Sequence, residues 1–187
     1  MHEKRFHGGL ERLRSAERLA MMETARVVSL SLEGLTSPRV LDVGTGTGVF
    51  AEAFQGAAAG VTGIDPNPEL LAAAHTLVPG ATFREGVAEA LPFGDRSFDL
   101  VFLGHVLHET DDPLAALREA RRVARRRVAI LEWPWKRQEQ GPPLHHRLRP
   151  ARIQQLAREA GFPSVERFRL ASMDFYRLAA QASGDDS

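Results

Sequence analysis

The first regular pattern of hydrophobic and polar positions covers residues 15–33, where apolar side chains recur every three or four residues. This spacing places them on one face of an amphipathic helix. Ser15 suits the N-cap of that helix, and Gly34 and Pro38 mark the region where it ends. The apolar positions of the face are Leu19, Met22, Ala25, Val28 and Leu32. The pattern therefore predicts one amphipathic helix over residues 15–33.

Beyond this helix, short apolar or β-branched runs alternate with helical patterns. The predicted strands cover residues 39–43, 61–65, 81–85, 98–104 and 128–132. The predicted helices cover residues 49–55, 68–77 and 113–124. Asn67-Pro68 and Asp112-Pro113 each combine a capping side chain with proline at the first helical position. Strands separated by helices predict right-handed crossovers and a parallel sheet covered on both faces.

The pattern changes after residue 132. A loop rich in Pro, Gly and His covers residues 133–150, and a helix over residues 151–160 is closed by Gly161. Two strands, 165–170 and 173–180, then follow with only two residues between them. A two-residue connection joins only antiparallel strands. We therefore expect an α/β fold with a mostly parallel sheet that ends in a C-terminal antiparallel hairpin.

Composition limits the class of protein. The chain has 187 residues, 43% of them hydrophobic and 26% charged, which is typical of one globular domain. Basic and acidic side chains both number 24, so no overall charge attracts nucleic acid or an anionic membrane. There is no cysteine and no apolar run of roughly 18 residues, the length of a membrane span. We expect a cytoplasmic protein that binds a small partner.

Three glycines, Gly44, Gly46 and Gly48, lie between the first strand and the helix over residues 49–55. In a doubly wound sheet, this is the place where a nucleotide binds. Glycine permits positive φ and lets backbone N–H groups approach a ligand. A tight turn without a ligand is the alternative interpretation.

Asp65 ends the second strand, about twenty residues after the glycine loop. A carboxylate at this position accepts hydrogen bonds from both hydroxyls of an adenosine ribose. Alternatively, Asp65 caps the turn at Pro66. The glycine loop and the acid together favour an adenosine-containing cofactor.

Asp42 distinguishes two kinds of adenosine cofactor. A dinucleotide places its pyrophosphate at the helix N-terminus after the loop, and a carboxylate two residues before the first glycine opposes that charge. S-adenosylmethionine (SAM) carries an ammonium and a sulfonium and has no phosphate. The buried acid therefore favours SAM, although Asp42 could instead only bind N–H groups of the loop.

The chain closely resembles class I SAM-dependent methyltransferases, in particular the small ubiquinone-biosynthesis-like (type 11) group. VLDVGTGTG resembles the glycine motif of this family, and GIDPNPELL resembles its ribose-binding strand end. GVAEALPFGDRSFDLVFLGHVLHE resembles the segment with the adenine contact and the fourth strand, and LREARRVARRRVAILEW resembles the next helix and the fifth strand. The resemblance covers residues 40–180 and implies a Rossmann-like, seven-stranded fold.

The resemblance also implies the cofactor site and the domain organisation. The expected cofactor-binding residues are Asp42, Gly44, Thr45, Gly46, Gly48, Asp65, Pro66, Val87, Ala88 and Gly104. S-adenosyl-L-homocysteine (SAH) is the implied product. We expect residues 1–187 to form a single methyltransferase domain. Its segments are an N-terminal helical segment (1–37), a cofactor-binding core (38–132), an acceptor-side loop (133–150) and a C-terminal helix and hairpin (151–187).

The sequence departs from the family at two places. The family usually has Gly-Asp-Ala-Glu where this chain has Gly86-Val87-Ala88-Glu89, so the acid that accepts from the adenine amino group is missing. Val87 packs on a ring but accepts no hydrogen bond, which leaves the backbone of Ala88 for the adenine edge. The family's proline–glycine turn is also missing between Arg122 and Val128, which changes the geometry of the turn and not the chemistry.

Methyl transfer from a sulfonium needs alignment and exclusion of water, and needs a base only when the acceptor loses a proton. His105 and His108 follow the fourth strand and are the candidate catalytic residues, because histidine titrates near neutral pH. One histidine packed against the cofactor and the other in solvent is the alternative. Loop 133–150, with Trp133 and Trp135, could fold over a substrate. The helix over residues 15–33 could form the other wall of the pocket, or simply cover an apolar surface.

Other partners are disfavoured. The histidines match no metal-binding motif, and the pair His145-His146 suits an exposed position, so we expect no metal. The five arginines between residues 121 and 127 are typical of a solvated helix end, and no motif for nucleic-acid methylation is present. We expect a small-molecule acceptor and a monomer or homodimer. The alternatives are an NAD(P)-dependent oxidoreductase and a SAM-binding protein without catalysis.

Overall fold

A computed structural model of the protein describes residues 13–57 and 59–181. The strands are β1 (Arg39–Val43), β2 (Gly60–Asp65), β3 (Thr82–Glu85), β4 (Phe98–Gly104), β5 (Ala124–Glu132), β6 (Ser164–Arg169) and β7 (Asp174–Ala179). The helices are α1 (Ala16–Met22), α2 (Thr24–Leu32), α3 (Val49–Gly56), α4 (Pro68–Leu77), α5 (Pro113–Val123) and α6 (Pro150–Glu159). A 3₁₀ turn covers Leu144–His146. In these ranges, none of the helices has the length and apolar run that a membrane span requires.

The described residues form one seven-stranded sheet in the order β3-β2-β1-β4-β5-β7-β6. Strands β1 to β5 pair in parallel, whereas β7 is antiparallel to both β5 and β6. Buried apolar side chains pack in two clusters, consistent with a sheet that is covered on both faces. The predicted α/β fold with an antiparallel C-terminal hairpin is confirmed.

The sheet order places the reversal of strand order between β1 and β4. In open α/β sheets, ligands bind at such a point, outside the carboxyl ends of the strands. Gly44 follows β1 directly, and Gly104 ends β4. The sheet therefore brings the glycine loop and the histidine segment to the same edge.

The single helix expected over residues 15–33 is wrong, because two helices are present. Ser15 caps α1 as predicted, with its hydroxyl accepting the N–H of Arg18. Glu23 then adopts a left-handed conformation with φ 47° and separates α1 from α2. Its carboxylate accepts the N–H of Ala171 at 2.6 Å, in the turn between β6 and β7. This contact links the break to a distant segment of the chain.

The arginine-rich segment also differs from the expectation of a solvated helix end. Helix α5 ends at Val123, and Arg125, Arg126 and Arg127 lie on β5, which begins four residues earlier than predicted. Arg122 donates to the carboxylates of Glu119 and Asp95 and to two backbone carbonyls in the segment between β3 and β4. These arginines therefore belong to the sheet and to an ion-pair network.

Candidate cofactor and acceptor site

A cavity of about 400 Å³ lies at the carboxyl edge of the sheet, where β1 meets β4. Four segments line it: the glycine loop after β1, the end of β2, the turn after β3 and the segment after β4. Leu13 and Arg18 from the N-terminal region complete the lining. The volume is in the range of small-molecule and cofactor sites.

The glycine loop owes its shape to positive φ angles of 67°, 55° and 79° at Gly44, Gly46 and Gly48. Gly44 and Gly46 line the cavity, whereas Gly48 is not part of the lining and a Cβ there would meet Val78 at 3.0 Å. A Cβ at Gly44 would lie only 2.4 Å from Cγ2 of Val106. The first glycine is therefore needed both for its backbone conformation and for the close approach of the β4–α5 segment.

Asp42 is buried beneath this loop and does not line the cavity. Its carboxylate accepts the hydroxyl of Thr45 at 2.7 Å, so the Thr45 side chain also turns inward. Burial, together with the negative charge of Asp65, raises the pKa of Asp42 to about 7, although the Thr45 hydrogen bond opposes this rise. The carboxyl group therefore changes charge near neutral pH.

Asp65 lines the cavity, and both of its carboxylate oxygens accept backbone N–H groups. Oδ2 accepts from Gly46 and Oδ1 accepts from Asn67, each at 2.9 Å. The second contact is the turn cap that the sequence offered as an alternative. An ionised carboxylate has about four acceptor sites, so a carboxylate that lines a cavity can accept ligand hydroxyls in addition to backbone N–H groups.

Pro66, Val87 and Ala88 line the cavity beyond Asp65. Val87 is 36% exposed and presents apolar surface, while Ala88 is buried. The neighbouring Glu89, which was not among the predicted site residues, accepts the N–H of Asp111 at 3.0 Å. Glu89 thus ties the turn after β3 to the segment after β4, and no local signal in the sequence indicates this long-range contact.

His105 lines the cavity, next to Gly104 at the end of β4. It is only 8% exposed, and neither ring nitrogen has a hydrogen-bond partner among the described residues. Burial, aided by the positive charge of Arg18 and by His108, lowers its pKa well below the ordinary value, so the ring is neutral. Its backbone is left-handed, with φ 62°, a conformation that costs about 1–2 kcal/mol for residues other than glycine.

His108 lies away from the cavity lining, so the structure separates the two candidate histidines. Its Nδ1 is 2.8 Å from Oε2 of Glu132, and its Nε2 is 3.6 Å from Glu109. Burial by itself would lower the pKa of His108, but the carboxylates of Glu132 and Glu109 outweigh it and raise the pKa above the ordinary value. The ring is held as a partner of Glu132 and does not face the cavity.

Loop 133–150 contributes no residue to the cavity lining, in contrast to its expected role as the acceptor-side wall. Buried Arg147 holds the loop, donating to the carbonyls of Pro134, Lys136, Gln140 and Pro142 and to the side chain of Gln138. Arg18 instead agrees with the wall predicted from the helix over residues 15–33, and Leu13, which precedes that helix, also lines the cavity. Arg147 was missed because its role depends on long-range geometry.

Within residues 13–57 and 59–181, no group of three or more His, Cys, Asp or Glu side chains could hold a metal ion. His145 is exposed, and its ring centroid lies 4.3 Å from that of His146.

Comparison with known proteins adds independent information. The sequence profile of a methyltransferase domain matches residues 41–131. A demethylmenaquinone methyltransferase of Chlorobaculum tepidum is 41% identical over 100 residues, which cover 53% of this chain and 41% of that protein. A malonyl-[acyl-carrier protein] O-methyltransferase of Erwinia billingiae is 36% identical over 117 residues, covering 63% of this chain and 43% of that protein. The match thus spans less than half of the length of these curated relatives.

Among solved structures, a SAM-dependent methyltransferase from Aquifex aeolicus shares the fold with a TM-score of 0.77 and 22% identity, covering 92% of this chain and 97% of that one. This likeness extends to nearly the whole chain and includes the hairpin beyond the matched profile. Residues 41–131 therefore match the methyltransferase domain family, and the chain has the fold of a SAM-dependent methyltransferase.

Proposed function

We propose that this protein binds SAM in the cavity between β1 and β4 and transfers its methyl group to a small-molecule acceptor. The observation that carries the proposal is the convergence of the glycine loop, the Asp65 carboxylate and the neutral ring of His105 on one cavity of about 400 Å³. These groups come from three separate segments, and each suits a different part of the ligand.

The chemistry of the lining fits SAM. Gly44 and Gly46 line the cavity with backbone at positive φ and without side chains, and this suits the close approach of the methionine part. Asp65 would accept the two ribose hydroxyls, while Val87 and Ala88 would pack on the adenine. Gly104, at the end of β4, lines the cavity with its backbone, since a Cβ there would meet the Phe102 ring at 2.7 Å.

Asp42 supports a cationic ligand over a dinucleotide. An ionised carboxylate beneath the loop is stabilised when positive charge binds above it, whereas the negative charge of a pyrophosphate would destabilise it. This argument disfavours the NAD(P)-dependent alternative.

Bound SAM supplies an electrophilic methyl group on a positively charged sulfur. The acceptor atom would form a bond to this methyl carbon as the carbon–sulfur bond breaks, with SAH as the leaving group. The neutral imidazole of His105 has free acceptor capacity in the cavity, so it would take the proton that a hydroxyl or amine acceptor loses. His108 would act only through Glu132 and Glu109.

A small acceptor agrees with the size of the cavity and with the relatives named for demethylmenaquinone and for malonyl-[acyl-carrier protein]. The monomeric or homodimeric state and the cytoplasmic location stay predictions.

The test is calorimetric titration of the purified protein with SAH, SAM and NAD, together with Asp65→Ala. We expect saturable binding of SAH and SAM, weakened at least tenfold in the variant, since each charge-assisted hydrogen bond contributes about 1.5–3 kcal/mol. Asp112→Ala removes an acid at the N-cap of α5, outside the cavity lining, and should leave the affinity unchanged.

Binding of NAD without SAH or SAM would refute the proposal. Release of SAH on addition of a panel of acceptors would then separate an enzyme from a SAM-binding protein without catalysis.

A further inference from the structure

Glu132 is a buried acid that the proposed transfer does not use. It ends β5, is only 1% exposed and lies outside the cavity lining. Its carboxylate accepts three N–H groups: the backbone of His108 at 3.3 Å, the backbone of Trp133 at 3.2 Å and Nδ1 of the His108 ring at 2.8 Å. A charge in such a place is costly unless it is fully paired, so its position needs a reason.

The three donors belong to two different loops. His108 lies in the segment between β4 and α5, and Trp133 begins loop 133–150. Both loops leave the carboxyl edge of the sheet, where ligands bind in this type of fold. Glu132 therefore joins the two loops at their bases through one side chain.

His105 lies between these two attachments. Its backbone N–H donates to the carbonyl of Leu131 at 2.8 Å, and its ring centroid is 5.2 Å from that of Trp133. Its left-handed backbone and unpaired ring would relax unless neighbouring groups held them. The neighbours that surround it, Trp133 on one side and the 106–110 turn on the other, are both bonded to Glu132.

A second carboxylate near His108 connects the Glu132–His108 pair to the cavity. The ring lies between Glu132 and Glu109, and Glu109 lines the cavity. The other charged or titratable groups near the pair are Arg147, His105, Tyr176 and, opposite Glu132 on β7, Asp174. Asp174 is occupied by an ion pair with Arg167.

We infer that Glu132 and His108 are a positioning pair that holds the cavity-facing orientation of His105 by joining the two loops around it. The inference rests on the proposed function only in that His105 is taken to face the methyl acceptor. The contacts themselves do not depend on it. A purely structural role, in which Glu132 only stabilises the fold, predicts a different set of measurements.

The test compares three variants of the full chain by NMR of ¹⁵N-labelled histidine rings and by the rate at which diethylpyrocarbonate modifies His105. Glu132→Gln removes the charge while keeping the shape of the side chain. We expect the His108 ring to titrate at lower pH than in the wild type, because it loses an opposite charge in direct contact. The His105 ring signals should shift, and its modification should accelerate severalfold.

Asp174→Asn is the matched control. It removes another buried acid at the same end of the sheet and breaks an ion pair, but it touches neither His108 nor Trp133. It should lower the melting temperature and leave the His105 signals and modification rate at wild-type values. His105 signals that are unchanged in Glu132→Gln, or altered equally in Asp174→Asn, would overturn the inference.

A second variant keeps the test decisive if Glu132→Gln fails to fold. In His108→Asn, the amide can donate to Glu132 in place of Nδ1, so the His105 signals should stay near their wild-type positions. Any pH-dependent shift of the His105 signals that is caused by titration of His108 should disappear in this variant. A wild-type pH response in this variant would contradict the inference. The affinity for SAH, measured in parallel, should change little in all three variants. If the wild type does not bind SAH, the proposed function is refuted, but the role of Glu132 is still decided by the His105 measurements.

Discussion

Replacement of Asp42 by asparagine is the sharpest test of the acid beneath the glycine loop. Asparagine has the shape of protonated aspartic acid, and its carbonyl can still accept the Thr45 hydroxyl. The variant therefore removes the charge and keeps the hydrogen bond. The expected change in the free energy of unfolding depends on how strongly burial destabilises a carboxyl group that is ionised in the unfolded chain.

The magnitude follows from the pKa of about 7, compared with the ordinary 3.8. The folded protein keeps the Asp42 proton up to about pH 7, whereas the unfolded chain releases it near pH 3.8. Unfolding is therefore favoured as pH rises through this window, and each pH unit corresponds to about 1.36 kcal/mol. Ionisation of Asp42 on unfolding therefore lowers the free energy of unfolding by about 4 kcal/mol at pH 7, and this decrease stays nearly constant at higher pH.

The assay is urea denaturation of wild type and Asp42→Asn between pH 5 and pH 8. We expect the variant to be more stable at pH 8, and its advantage to grow by about 3 kcal/mol across this range. Asp112→Asn is the control, because asparagine also caps the helix at this exposed position. Its difference from wild type should be small and independent of pH.

Two results would refute this reasoning. One is an Asp42→Asn variant that is less stable than wild type at pH 8, and the other is a stability difference that does not change with pH. The functional counterpart is proton release: a ligand ammonium bound above the loop favours the ionised form of Asp42. Calorimetry of SAH binding at pH 6 to 7, in buffers of different ionisation enthalpy, should detect released protons in the wild type and not in the variant.

Two further predictions concern the backbone of the site and the loop behind it. Gly44→Ala should be destabilised by about 1–2 kcal/mol from positive φ and by about 1–3 kcal/mol more from the clash with Val106. Gly34→Ala, at φ 71° with open space around it, should show only the first cost by urea denaturation. Arg147→Ala should lower the free energy of unfolding by about 2–3 kcal/mol and accelerate proteolysis in loop 133–150, because one guanidinium bonds five groups there. Exposed Arg137→Ala should stay within about 0.5 kcal/mol of wild type, and an equal effect of both arginine variants would contradict the role of Arg147.

Local patterns were sufficient for most of the secondary structure. The capping pairs Asn67-Pro68 and Asp112-Pro113 begin α4 and α5 at the predicted residues, because the cap and the proline act within one turn. The short connection near Ala171 required an antiparallel hairpin, since two residues cannot cross a sheet. These signals are carried by neighbours in sequence, so tertiary contacts did not override them.

Long-range contacts decided the elements that were predicted incorrectly. The N-terminal helix breaks at Glu23, whose carboxylate reaches Ala171 at the other end of the chain. Strand β5 begins at Ala124 because its first residue pairs with Phe98 of β4, across a register irregularity. Neither partner is visible in the local pattern of these segments.

The same division applies to the candidate site. The sequence by itself determined the glycine loop, Asp65 and the buried Asp42, because a strand end, a tight turn and a helix start are local features with local residue requirements. Only the tertiary structure separated His105, which faces the cavity, from His108, which binds Glu132. It also showed that loop 133–150 lies outside the cavity lining, whereas Arg18 of the N-terminal helix lies within it. The physical reason is that side-chain direction, burial and charge pairing at a sheet edge depend on which strands are neighbours, and strand order is set by packing among segments far apart in the chain.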